Sequence, residues 1–404
     1  MKRLLIALSV LILPSWASAA TCFWVGGTGN WSDTTHWSIG TGGAGSTCLA
    51  TGGYPNTGAD SATIDASSGA GTITIDVSVS STGTFTNGAM GMTLADGGNA
   101  QTWGAFSGTG TGTRTYNLTA AKWTITGATT PWTLAVVTNA TFTSLPTLIE
   151  STNTGSVTFQ LGTVAVYNDI TFSGVGVTAV LGNTTWTMRD LTVTNGTSFT
   201  PGTPTGTLRN VSITAGSTAG SGTLSVTGNV TATVTSSTAT TTITLAGSSG
   251  TQAVVISGPL TGAWVVNNTG AATTFSTSGW TPGALTLTAG SVTVSGSAIV
   301  GTGAFTHTAG TLVMNAPITT TTYTSSNTNT RSLTLTRPWT LTAVSTLLNV
   351  GTSTNFTASC SAMGGFVLSD ASGTAKSPSY SGSEILKCIK YMHGSTTNGW
   401  TVTP

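Results

Sequence analysis

Charge is the scarcest property of this sequence. Only 5% of its 404 residues are charged, and three are histidine. Between Asp190 and Asp370 there is neither aspartate nor glutamate, and His307 is the one imidazole of that interval. General acid–base catalysis needs a titratable pair, so this interval by itself excludes such chemistry. Basic residues are equally sparse. Removing Lys2 and Arg3 from the 11 basic residues leaves 9 against 10 acidic ones, a formal charge of −1. That excludes the electrostatic footprint of a nucleic-acid or anionic-lipid binder. After the first 20 residues there is no long apolar run and no helical periodicity, so no later membrane span is expected.

What remains is glycine, 53 residues of it, with abundant threonine and serine. Such a composition alone would suit a disordered chain. The order of the residues argues otherwise. Arg189 to Ser198 and Arg209 to Thr218 lie 20 positions apart and match in kind at almost every place. In each, apolar and hydroxyl residues alternate as in a strand, and a glycine is expected to end it. Ala284 to Ser291 is answered by Ala304 to Thr311, and Asn168 to Gly174 is an earlier copy. A period near 20 predicts a solenoid in which each repeat is one coil. A strand this short cannot bury its apolar row alone, so the coils must stack. The expected fold is therefore all-β: a parallel β-solenoid (β-helix) of about 14 coils between Gly71 and Val350, about 65–70 Å long.

The expected domains are a signal peptide at 1–20, an N-terminal cap at 21–70, the solenoid at 71–355 and a C-terminal cap at 356–404. Lys2 and Arg3, the apolar run Leu4 to Leu13 and Ala17-Ser18-Ala19 form an export signal. The cysteines fit an oxidising compartment. A rod keeps its ends apart, so Cys22 is expected to pair with Cys48 and Cys360 with Cys388. Trp24, Trp31 and Trp37 supply an apolar load that would cover the first coil. The charges within Asp370 to Lys390 would blunt the last one, or dock a partner. Trp-Thr pairs open segments at Trp123, Trp132, Trp186, Trp280, Trp339 and Trp400. Inside a solenoid such aromatics are expected to stack as ladders.

The opening Trp24-Val25-Gly26-Gly27-Thr28-Gly29-Asn30-Trp31 with His36-Trp37-Ser38 resembles a group of repeat-rich secreted bacterial and phage-fibre-like proteins. The segments at Tyr116 and Tyr167 are similar to their repeats. The resemblance implies a β-helical surface or virion component without an assigned activity.

Few residues could carry chemistry. Asp33 with His36 could form a metal or catalytic pair, but no third ligand lies nearby in sequence. Gly26-Gly27-Thr28-Gly29 lacks the pattern of a phosphate loop. His307 stands where the previous coil has Leu287, so it is expected in the core. Asp169 and Asp190 would begin strands in successive coils, with Asn210 next in the row. Stacking would set the two carboxylates ~5 Å apart, near the spacing of retaining glycosidases. The competing reading is a repeat ladder of Asp169, Asp190 and Asn210 holding turn amides, with a carboxylate-poor calcium site as a further alternative. The Thr-x-Thr strands would stack hydroxyls into flat arrays able to meet glycan or ice. The expectation is a secreted or cell-surface structural or adhesive protein without cofactor. Its partners would be surface glycans or other copies of itself. The alternatives are a polysaccharide-cleaving enzyme using Asp169 and Asp190, and a virion tail-fibre or spike component.

Overall fold

A computed structural model describes residues 19–50, 52–88, 91–108, 113–134, 140–162, 166–182, 185–202, 205–301, 303–325, 329–342, 348–350, 355–368, 379–380 and 388–391. The expected leader, apart from Ala19 and Ala20, lies outside these residues. So do Asp370, Lys376, Glu384 and Lys387 of the expected C-terminal cap, His393, and Trp400.

The chain is a parallel β-solenoid of about 13 turns, each of about 21 residues, with 60% of its residues in strands. Alternation of apolar and hydroxyl residues dictates this locally, because successive side chains of a strand point to opposite faces. The apolar set points inward and shares one core with the coils above and below. Leu191 pairs in register with Val211, and Leu285 with Phe305. The hydroxyl set points outward and stacks into rows. One row runs from Thr124 through Glu150, Thr171, Thr192 and Ser212 to Thr231.

The glycines do not end the strands as expected. The strand Trp186–Thr200 runs through Gly196, and Thr205–Thr218 runs through Gly216. The chain turns a corner there instead. Asn195 adopts φ 53°, and the pairing register shifts between Val193 and Gly196. The alternating pattern thus continues around the corner on a new face. Asp169 and Asp190 accordingly lie within strands, Val166–Phe172 and Trp186–Thr200, rather than at their starts.

Tryptophans fill the interior. All those within the described residues are buried, including Trp123, Trp132, Trp186, Trp280 and Trp339 of the Trp-Thr segments. Trp186 lies over Gly206 of the next coil, where a Cβ would collide with the indole. At the N-terminus Trp31 and Trp37 meet edge to face, 4.6 Å between centroids. The antiparallel pairings among the described residues also fall there, between Thr21–Trp24 and Trp37–Ser38 and at the Ser38–Thr47 bridge. Parallel stacking has nonetheless begun, because Thr21–Trp24 also pairs with Ser61–Ile64. Cys22 is bonded to Cys48 and Cys360 to Cys388, with Cα atoms 5.4 and 5.6 Å apart, so each bridge staples its own end.

Candidate functional site

Six charged side chains, Lys122, Glu150, Asp169, Arg189, Asp190 and Arg209, gather on one edge of the rod. Stacking puts Lys122, Leu148, Asp169, Asp190 and Asn210 in a single row, each paired with the next coil. The residue before each of the last two is an arginine, and its side chain reaches back one coil. Arg189 holds Asp169 with both guanidinium arms, Nε donating to Oδ1 at 2.7 Å and Nη2 to Oδ2 at 2.6 Å. Arg209 holds Asp190 the same way, Nε donating to Oδ1 at 3.1 Å. Arg189 Nε also lies 3.9 Å from Asp190 Oδ2, which links the two pairs. Lys122 forms an ion pair with Glu150, to which Ser173 Oγ donates at 2.6 Å. Bidentate arginine–carboxylate geometry fixes direction as well as charge.

The same row couples the coils through the backbone. Asn210 donates its backbone N–H to Asp190 Oδ1 at 3.2 Å and its side-chain amide at 2.8 Å. Asn229 N donates to Asn210 Oδ1 at 2.8 Å, and Ala253 N donates to Asn229 Oδ1 at 2.9 Å. Asp190, Asn210 and Asn229 therefore each cap a main-chain amide of the coil that follows, whereas Asp169 is held by the Arg189 guanidinium. Aspartate and asparagine are interchangeable in that role, since both offer an oxygen. Asn229 extends the ladder by one coil beyond the residues read from the sequence. Its signal was present, because Asn229-Val230-Thr231 repeats Asn210-Val211-Ser212 at a spacing of 19.

The electrostatics follow from these contacts. Partial burial pushes the Asp190 carboxyl upward, but the hydrogen bonds from Arg209 and Asn210 outweigh it and hold Asp190 below the ordinary aspartate value. The paired carboxylates raise both Arg189 and Arg209. A proton donor for glycoside cleavage needs a carboxyl displaced in the opposite direction.

The other candidates lie apart from this edge. His307 is buried against Leu287 of the coil before, with Nδ1 2.9 Å from the Tyr323 hydroxyl and Nε2 3.1 Å from the Gly310 carbonyl. Since a carbonyl only accepts, Nε2 carries the proton. Burial lowers the imidazole to a pKa of about 4. His36 stacks on Trp24 with ring centroids 4.6 Å apart and donates from Nδ1 to the Val25 carbonyl at 2.7 Å. Asp33 caps the turn that carries it by accepting from Thr35 N at 3.0 Å, and stands 3.9 Å from His36 Nε2. The Gly26–Gly29 loop packs around that imidazole. Among the described residues no group of three or more His, Cys, Asp or Glu is placed to hold a metal ion.

Several buried polar residues escaped sequence reasoning. Asp96 is fully buried and accepts from Gly98 N, Thr119 N, Ala120 N and Trp123 Nε1. Arg114 and Arg331 are buried as well, with carbonyl oxygens of Asn87 and of Ser325 and Asn329 among their partners. Only the Asp96-Gly97-Gly98 turn had a local signal, since aspartate before glycines favours an Asx turn. No protein-family model, curated protein or solved structure matches the chain.

Proposed function

We propose that the protein is an exported structural or adhesive rod that acts through its surface rather than by catalysis. The observation that carries this reading is the state of the Asp169–Asp190 pair. Both carboxylates are engaged by arginine, and beyond Asp190 the row continues as asparagine in the same amide-capping role. Two terminal disulfides fit an oxidising compartment, and among the described residues no helix is long and apolar enough to cross a membrane. A stiff scaffold with repeated surface groups suits weak contacts multiplied along its length. The likeness of the opening motif to secreted repeat proteins points the same way, with a virion fibre as the related alternative.

A glycan array and whole-cell adhesion, each run with the purified chain, test the reading. Wild type and the Asp169→Asn, Asp190→Asn double variant should be retained alike. Retention that disappears with the two carboxylates would show that they meet a ligand and would overturn the structural account of the ladder.

A further inference from the structure

Not all hydroxyls on the rod are alike. At the corner near Gly196 they are spent on the protein itself. Thr197 Oγ1 donates to the Gly176 carbonyl at 2.8 Å, Ser217 Oγ to the Thr197 carbonyl at 3.4 Å, and Ser236 Oγ to the Gly216 carbonyl at 3.3 Å. On the preceding face the situation is reversed. A continuous row of Thr171, Thr192, Ser212, Thr231, Val255 and Ser276 runs across six coils in register. Two residues further along each strand stands a second rank, in which Thr214, Thr233, Ser257 and Ser278 are paired coil to coil. Ser173 and Thr194 follow Thr171 and Thr192 at the same two-residue step in the two coils before. Of these twelve positions eleven are serine or threonine. Apart from Ser173, which donates to Glu150, their hydroxyls make no hydrogen bond to another described residue. From Thr231 onward every position of the two ranks is exposed.

We infer that this face binds a crystalline water lattice, that is, ice. The inference rests on the reading of the rod as a binding surface. Spacing is fixed in two directions by the backbone: ~4.8 Å from coil to coil and about 6.6 Å between ranks. A partner that uses such an array must itself be periodic. It must also be uncharged, because the twelve positions carry no charge and the bordering carboxylates Glu150, Asp169 and Asp190 are paired with Lys122, Arg189 and Arg209. Each hydroxyl is both donor and acceptor, which is what every site of a water lattice demands of its neighbours. Threonine adds a χ1 held stiff by its branched Cβ, so little rotamer freedom is lost on contact. A crystalline polysaccharide is the other periodic, uncharged candidate, and it is less well matched. Sugar rings favour aromatic faces, and all described tryptophans of this protein lie in the core.

The test is partition of the purified full chain into slowly grown ice, measured beside pull-down on crystalline cellulose and chitin. Wild type should enter the ice and shape the crystals. Thr214→Tyr with Thr233→Tyr puts two bulky rings on the array at positions where a strand accepts tyrosine, and should abolish entry with the far-ultraviolet dichroism unchanged. Thr207→Tyr, an exposed threonine of another row, should leave entry intact. Exclusion of the wild type from ice would overturn the inference. If the protein then bound cellulose or chitin, the adhesive reading would stand with a different partner; if it bound neither, that reading would lose its support as well. Equal loss in Thr207→Tyr would overturn the assignment to this face.

Discussion

Two stretches of the rod fold by the same coil and fill it differently. From Trp103 to Phe172 the core is aromatic: Phe106 packs on Trp132 at 4.8 Å, Trp132 on Phe159 at 6.1 Å and Phe159 on Phe172 at 4.9 Å. Between Phe199 and Trp264 there is no aromatic residue, and valine, isoleucine, leucine and alanine must fill the same cross-section. They fill it less completely. Trp123 and Phe159 have no accessible surface, whereas Ile213 and Ile243 retain 7% and 9%. An apolar cavity of about 30 Å³ lies among Phe199, Ile213, Ala239, Ile243 and Leu260. Parallel pairing carries coil onto coil in both stretches, with register shifts at Tyr116/Asn117 and between Thr129 and Trp132 in the first. The parallel ladder therefore sets the architecture, and side-chain volume sets how tightly each coil closes.

The largest effect should come from the tight stretch. Trp123→Ala removes a core ring and one donor from buried Asp96, and should cost about 3–5 kcal/mol by denaturant titration. A loss no greater than that of Ile213→Ala would break the contrast. Val211→Asp should cost several kcal/mol in the loose stretch, because even there a charge would be buried unpaired.

A second test uses the aromatic block that follows Trp280, which differs from the first in carrying His307. That imidazole stays neutral in the folded state down to about pH 4, whereas an unfolded histidine takes a proton near pH 6.5. The unfolded state takes up a proton at this group as pH falls from about 6.5 to about 4, so the stability that His307 contributes declines across that window. The decline should amount to about 3 kcal/mol and be absent in His307→Leu. An identical pH profile in that variant would contradict the burial of a neutral imidazole.

Packing changes should act with opposite sign in the two stretches. Ala239→Val at the cavity should stabilise by about 0.5–2 kcal/mol. Ala120→Leu, at a fully buried alanine of the aromatic stretch, should cost about 1–3 kcal/mol. Thermal unfolding with the same sign for both would show that the cavity is not usable space. The smallest effect belongs to the ladder. Asp169→Asn with Asp190→Asn should change stability by no more than about 1 kcal/mol for each half-exposed ion pair lost.

The parts of this architecture legible in the sequence are those with an even period. Asp169, Asp190 and Asn210 follow at 21 and 20 positions, and their pairing could be written down in advance. Leu148 lies 26 positions beyond its partner Lys122, and Val254 lies 24 beyond Val230. Loops of unequal length between strands conceal the repeat there. The corner at Asn195 was misread because glycine stops many strands, whereas here alternation simply resumes on the next face. Buried Asp96, Arg114 and Arg331 were invisible for a different reason. Many of their partners are main-chain groups, which every residue possesses, so no sequence pattern distinguishes them.

We propose that the Asp169–Asp190 pair holds coils together and performs no chemistry. A reducing-end assay over a panel of bacterial and algal polysaccharides tests it most directly. The account predicts no sugar released by the purified protein. Release that vanishes in the Asp169→Asn, Asp190→Asn variant would contradict it and make the edge of the rod an active site.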